Sequence, residues 1–223
     1  MIANGSQKLK NPPSLQETPE YFGHLRSDVL AHVPDALSSA LSIGCGQGRT
    51  ERELVEKGCR VVGIEPSQEA ASRASLNGID VIVDTAENGV KKLQGQQFDC
   101  LILSDVLEHL VDPEATLAQC LPLLRPGGRI IISIPNFRHY SVFHALFLKG
   151  VVPDRDAGIF DRTHLRITTR KLVERWYGTH LITASPPDYQ FSGRLERGLA
   201  TLCFGLMNEF LARQVIVSGT KTR

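Results

Sequence analysis

Several things are scarce in this 223-residue sequence, and each scarcity closes a class of explanation. Cysteine is limited to Cys45, Cys59, Cys100, Cys120 and Cys203, an odd number with no C-x-x-C pair, which argues against a disulfide framework or a zinc site. They read as reduced cysteines of a cytoplasmic protein. Long apolar runs are missing too: "GLATLCFGLM", from Gly198 to Met207, is about half a bilayer span, and the opening "MIANGSQKLKNPPS" has no apolar leader core. No integral membrane contact is expected. Nor is there an excess of either charge, with 25 Lys and Arg against 24 Asp and Glu, so the surface as a whole advertises no nucleic-acid partner. No internal repeat is visible. What remains is 42% hydrophobic and 22% charged, the balance of a globular domain with a sizeable core, in the form of a monomer or homodimer.

Residues 1–17 are polar and carry Pro12 and Pro13, which predicts a flexible arm; residues 18–223 form the single expected domain. Thr18 as N-cap, Pro19 at the first helical position and apolar residues at helical spacing predict a leading helix up to Pro34. From Ala40 short apolar runs alternate with amphipathic stretches: "ALSIG", "RTERELVEKG", "RVVGIE", "SQEAASRASLNG", "DVIVD". The rhythm continues through "FDCLILS", a helix from about Asp112 to Leu124, and "RIIISI". A helix at "TTRKLVERW", a strand near "HLITAS", a helix near Leu195 to Leu211 and a strand "RQVIVSG" complete it. The expected fold is α/β, doubly wound, with a mostly parallel seven-stranded sheet and helices on both faces.

In "LSIGCGQG" a strand ends and a helix opens, and Gly44, Gly46 and Gly48 let the backbone approach a ligand. Glu65 closes the next strand, where an acid meets ribose hydroxyls at the switch point of an open sheet. The dinucleotide fingerprint would need glycine at position 49, and Arg49 stands there, so a nicotinamide cofactor fits poorly. An adenosine-type ligand of another kind is the natural reading.

"LSIGCGQG", "GIEPS", "VDTAE", "FDCLILSDVLEHLVDP" and "LRPGGRIIISIPN" together resemble the class I S-adenosylmethionine-dependent methyltransferases, in the broad bacterial group of ubiquinone-type and sugar-modifying enzymes. The resemblance covers roughly residues 19 to 176. It implies a Rossmann-like methyltransferase fold and S-adenosylmethionine as cofactor, with S-adenosylhomocysteine as product. It further implies that Gly44, Cys45, Gly46 and Gly48 line the methionine and ribose, that Glu65 with Pro66 meets the ribose hydroxyls, that Asp84, Thr85 and Ala86 flank adenine, and that Ser104, Asp105 and Val106 wall the sulfonium side. Cys45 reads as packing, not as a nucleophile.

Asp105, Glu108 and His109 follow the fourth strand, where catalytic groups collect in such sheets, and His109 is a candidate base or a structural cap. With no second cluster at ligand spacing, no metal is expected. The segment 136–167 lies beyond the fifth strand and must arch over the same edge as a lid. Its candidates for the acceptor side are His139, Tyr140, Asp161, Arg162 and His164; an internal ion-pair network of Asp161 with Arg162 or Arg166 is the competing role. From Arg125 to Arg175 ten basic residues face four acids, which points to an anionic small-molecule acceptor, phosphorylated or carboxylated. The resulting expectation is a methyltransferase of sugar, cell-envelope or natural-product biosynthesis. A SAM-binding partner subunit without catalysis is its rival.

Overall fold

The computed structural model describes residues 25–222. The predicted arm and the first part of the predicted leading helix lie outside them. Helix α1 spans Ser27–Leu30 only. Arg26, at φ −96 and ψ 73, is not helical, because its N–H is donated to Thr50 Oγ1 at 3.0 Å and its guanidinium is drawn toward the sheet edge. These long-range bonds override the local helical pattern.

The alternating segments become β1 (Ser39–Ile43), α2 (Arg49–Glu56), β2 (Arg60–Glu65), α3 (Gln68–Leu76), β3 (Asp80–Val83), α4 (Ala86–Lys92), β4 (Phe98–Ser104), α5 (Pro113–Cys120) and β5 (Leu124–Pro135). Leu41, Ile43, Ile64, Leu101, Leu103, Ile130 and Ile132 belong to one core layer. Their neighbours Ala40, Val61, Cys100, Ile102 and Ile131 belong to the layer behind the sheet. Strands buried on both faces read as continuous apolar runs, and that is why the five parallel strands stand out in the sequence. Caps set the helix starts: Ser67, Thr85 and Asp112 accept from Ala70, Asn88 and Ala115 N–H groups.

After β5 come α6 (Tyr140–Phe143), a π-helical turn over His144–Leu148, α7 (Arg170–Thr179), β6 (Ile182–Ala184), β7 (Asp188–Gln190), α8 (Arg194–Leu202), α9 (Asn208–Leu211) and β8 (Gln214–Lys221). The sheet runs β3-β2-β1-β4-β5-β8-β6, seven strands in one row, and the short β7 pairs with β8 as an eighth. The pairs among β1 to β5 are parallel, whereas β8 is antiparallel to β5, β6 and β7. The single helix expected at 195–211 is two helices, broken where Phe204 and Gly205 take φ of +51 and +78. Gly205 donates its N–H back to Ala200 O and closes α8.

The chain leaves β1 toward β2 and β3 on one side and returns to β4 and β5 on the other. The loops after β1 and β4 therefore diverge and leave a crevice at the carboxyl edge, where ligands enter open sheets.

Candidate active site

Three carboxyl ends in a row build the first half of the crevice. Gly44, Gly46 and Gly48 follow β1 with φ of +68, +54 and +71, a region that side chains strain to enter. A Cβ on Gly48 would lie 2.3 Å from Ile79 Cδ1, so this position also needs glycine for packing. Glu65, at the end of β2 and 2% exposed, takes Gly46 N–H on one oxygen and Ser67 N–H on the other, each at 2.9 Å. Pro66 beside it is exposed. Asp84 follows β3, accepts from Thr85 N–H at 2.8 Å and pairs with Lys92, which holds its carboxyl below the usual range. Thr85 caps α4, and Ala86 is buried.

Two buried groups lie beside the glycine turn. Cys45 is packed so that a Cβ on Gly63 would stand 2.5 Å from its Sγ, and burial pushes its thiol far up, which leaves no nucleophile. Glu51, in the first turn of α2, is buried and accepts from Ser42 Oγ at 2.7 Å. Burial pushes its carboxyl up to about 7, with Glu65 adding to the effect.

The second half of the crevice lies past β4. Asp105 has φ +55, uncommon for a residue with a side chain, and its N–H is donated to Ser133 O at 3.0 Å. Its carboxylate accepts from Gln214 Nε2 at 2.7 Å and pairs closely with Arg26. Arg26 also donates to Ser104 Oγ at 3.0 Å, to Ser133 Oγ at 2.8 Å and to both Asp28 oxygens. An opposite-charge pair thus stands beside the glycine turn, since Ile43 and Leu103, which precede Gly44 and Ser104, are register partners. Sequence reasoning missed Arg26, Gln214 and Glu51. Val106 is buried, and a Cβ on Gly44 would lie 2.7 Å from its Cγ2.

The segment "DRTHLR" packs against the turn that follows β4. Leu165 and Arg166 donate their N–H groups to Glu108 O at 2.8 and 3.0 Å. His109 Nδ1 lies 3.3 Å from Thr163 O, and the His109 and His164 rings meet edge to face with centroids 4.8 Å apart. Burial, with His109 next to it, holds the His164 imidazole below its ordinary value. Asp161 acts through Thr163, accepting its N–H at 2.8 Å and its hydroxyl at 2.7 Å. The expected pairing of Asp161 with Arg162 or Arg166 is replaced: Arg162 binds Asp154 and Asp156, and Arg166 donates to Val111 O. The same contacts bring His164 to Glu108 and His109, with ligand-capable atoms of the three within 4.8 Å of one another.

His139 and Tyr140 join a different group. His139 is buried with Nε2 3.7 Å from Glu196 of α8, and the Tyr140 ring lies 5.9 Å from that of Phe210 of α9. A cavity of about 550 Å³ opens nearby, lined by Arg138, Arg170, Lys171, Tyr189 and Glu209 among others. Its arginines are already paired, Arg138 with Glu209 and Arg170 with Glu174 and Glu209. Of the basic residues between Arg125 and Arg175, Arg125, Arg138, Arg162 and Arg170 thus meet carboxylates. Among the described residues no helix is long and apolar enough to cross a membrane.

A family model described as a methyltransferase domain matches residues 16–179, and the chain belongs to that family. Ubiquinone biosynthesis O-methyltransferase of Xylella fastidiosa is 30% identical over 132 residues, 56% of this chain and 54% of that protein. Its counterpart in Xanthomonas oryzae is 33% identical over 113 residues, 48% and 47% of the two chains. The chain thus spans about half the length of the curated relatives it matches. A SAM-dependent methyltransferase from Archaeoglobus fulgidus superposes with a TM-score of 0.64 at 16% identity, covering 87% of this chain and 90% of the other. The plantazolicin methyltransferase BamL, solved in complex with a triazolic desmethylPZN analog and SAH, gives a TM-score of 0.59 at 18% identity, covering 84% and 78% of the two chains. The fold is that of the class I methyltransferases.

Proposed function

We propose that residues 18–223 act as one domain that transfers a methyl group from S-adenosylmethionine to a small-molecule acceptor. The observation that carries this is the row of unlike partners along one sheet edge. S-adenosylmethionine has an adenine, a ribose diol and a zwitterionic amino acid; Asp84, Glu65 and the Arg26–Asp105 pair offer a partner to each. Gly44, Cys45, Gly46 and Gly48 bring backbone rather than charge against the ligand, with Pro66, Thr85, Ala86, Ser104 and Val106 as the flanking wall. When bound, the cofactor supplies a methyl carbon activated by a sulfonium. The chain has to bind both partners, exclude water and align the acceptor, and positioning of this kind lowers a barrier by up to roughly 7 kcal/mol or more.

On the acceptor side stand the His109–His164 pair and, through Thr163, Asp161. His139 and Tyr140, grouped with α8 and α9, reach the acceptor only if it extends to that side. Sugar, cell-envelope and natural-product intermediates are the acceptor classes this reading admits. The test is transfer of tritium from labelled S-adenosylmethionine to such acceptors, beside calorimetric titration with S-adenosylhomocysteine. Glu65→Ala is expected to weaken that titration by about 1.5 to 3 kcal/mol, the scale of a hydrogen bond to a charged group. Tight product binding without transfer to any acceptor would favour a non-catalytic binding subunit. Unchanged affinity in Glu65→Ala would move the ribose contact elsewhere.

A further inference from the structure

The packing of residues 161–166 against the turn after β4 brings three ligand-capable side chains together from two distant stretches. One ligand-capable atom from each of Glu108, His109 and His164 lies within 4.8 Å of the other two. Glu108 is 1% exposed, and its Oε2 has no hydrogen-bond partner among the described residues. An oxygen in that condition is costly to bury, and a cation is the kind of partner that satisfies it.

The imidazoles are oriented to match. His164 Nδ1 lies 3.3 Å from Ile159 O, as His109 Nδ1 does from Thr163 O. A carbonyl only accepts, so each Nδ1 carries its ring's proton and each Nε2 keeps a lone pair. The bonding around Thr163 agrees: its hydroxyl donates to Asp161 Oδ1 at 2.7 Å and so accepts from His109 Nδ1 at 3.1 Å. Carbonyl and carboxylate support behind the ring nitrogen is the arrangement that aims a ligating histidine.

We infer that Glu108, His109 and His164 bind one divalent cation of the zinc type, held by two imidazole nitrogens and one carboxylate. Such a set suits borderline ions better than magnesium, and three protein donors leave a position for a further oxygen. On the methyltransferase reading, on which this sentence alone rests, that oxygen is a hydroxyl of the acceptor, which the ion orients.

The experiment uses the full chain, stripped with a chelator, titrated with Zn²⁺ by calorimetry and with Co²⁺ by visible absorption. One site is expected, together with the Co²⁺ ligand-field bands of a nitrogen-containing set. Glu108→Gln and His164→Gln, checked for folding by circular dichroism, should each weaken binding by about tenfold or more, while exposed His144→Ala leaves it unchanged. Zn²⁺ affinity weaker than about 0.1 mM in the wild-type chain would overturn the inference, as would equal affinity in both folded variants. Should a variant fail to fold, the Co²⁺ spectrum of the wild-type chain decides, and absence of ligand-field bands overturns the site. An S-adenosylhomocysteine titration on the same stripped sample separates the two readings: product binding without metal binding sinks only the cation site, and the reverse sinks only the methyltransferase.

Discussion

Glu51 places a titration within the stability of the protein. Its carboxyl is raised to about 7 in the folded chain by burial, against an ordinary value near 4.5 in the unfolded one. Between these values the folded state holds more protons than the unfolded state, so stability falls as pH rises through that window. The full span corresponds to on the order of 3 kcal/mol. Thermal melts from pH 5 to 8 should show this decline, and Glu51→Gln, which keeps the Ser42 contact in neutral form, should flatten it. An identical pH profile in the variant would place the titration on another group. Other residues of the candidate site were hidden at this scale for a common reason. Arg26 meets Asp105 across 79 positions and Gln214 meets it across 109, and nothing in the local spacing of either residue records those partners. Glu65 and the glycines, by contrast, are legible because a strand end and a tight turn are local features.

At the scale of elements, β1 to β5 are readable because burial on both faces makes each an unbroken apolar run between helices. The strands β6 and β7 have three residues each, of which only Ile182 is buried, and both pair with β8. Such strands have register but no pattern. That the segment after β5 returns to the carboxyl edge was legible by position, while its ion pairs were not, since Arg162 chose Asp154 and Asp156 from its own loop. The approach of β6 to β8 gives a test of this edge. A Cβ on Gly219 would lie 2.5 Å from Ile182 Cγ2 and 3.0 Å from the backbone oxygen of Thr183. Gly219→Ala is therefore expected to cost about 1 to 3 kcal/mol by overpacking, lowering Tm by roughly 2 to 4 °C for each. Affinity for S-adenosylhomocysteine should be retained, because this contact lies on the far side of β5 and β8 from the glycine turn.

For the molecule as a whole, a near-neutral total sits beside a local basic excess that is only partly paired. Arg125, Arg138, Arg162 and Arg170 each have carboxylate partners, whereas Arg129 donates to the neutral hydroxyls of Ser185 and Ser218 and keeps its charge. If the acceptor the tritium assay identifies is anionic, its kcat/KM should fall by about threefold or more between roughly 50 and 500 mM salt, because the remaining basic residues leave a field to be screened. A flat profile would remove the anionic acceptor suggested by the basic excess of residues 125–175. The place of β8 has a consequence of another kind. It is the last strand in chain order yet lies inside the sheet, seven residues deep against β5 and flanked by β6 and β7. On the ribosome, the outer edge of β5 with Ile130, Ile132 and Ile134 must wait some 80 residues for its partner, and at about 5 to 20 residues per second that is a delay of several seconds. Over that interval the nascent chain exposes an unpaired apolar edge. The sheet is completed from its middle, and the outer edge of β5 finds its partner only once β8 has emerged.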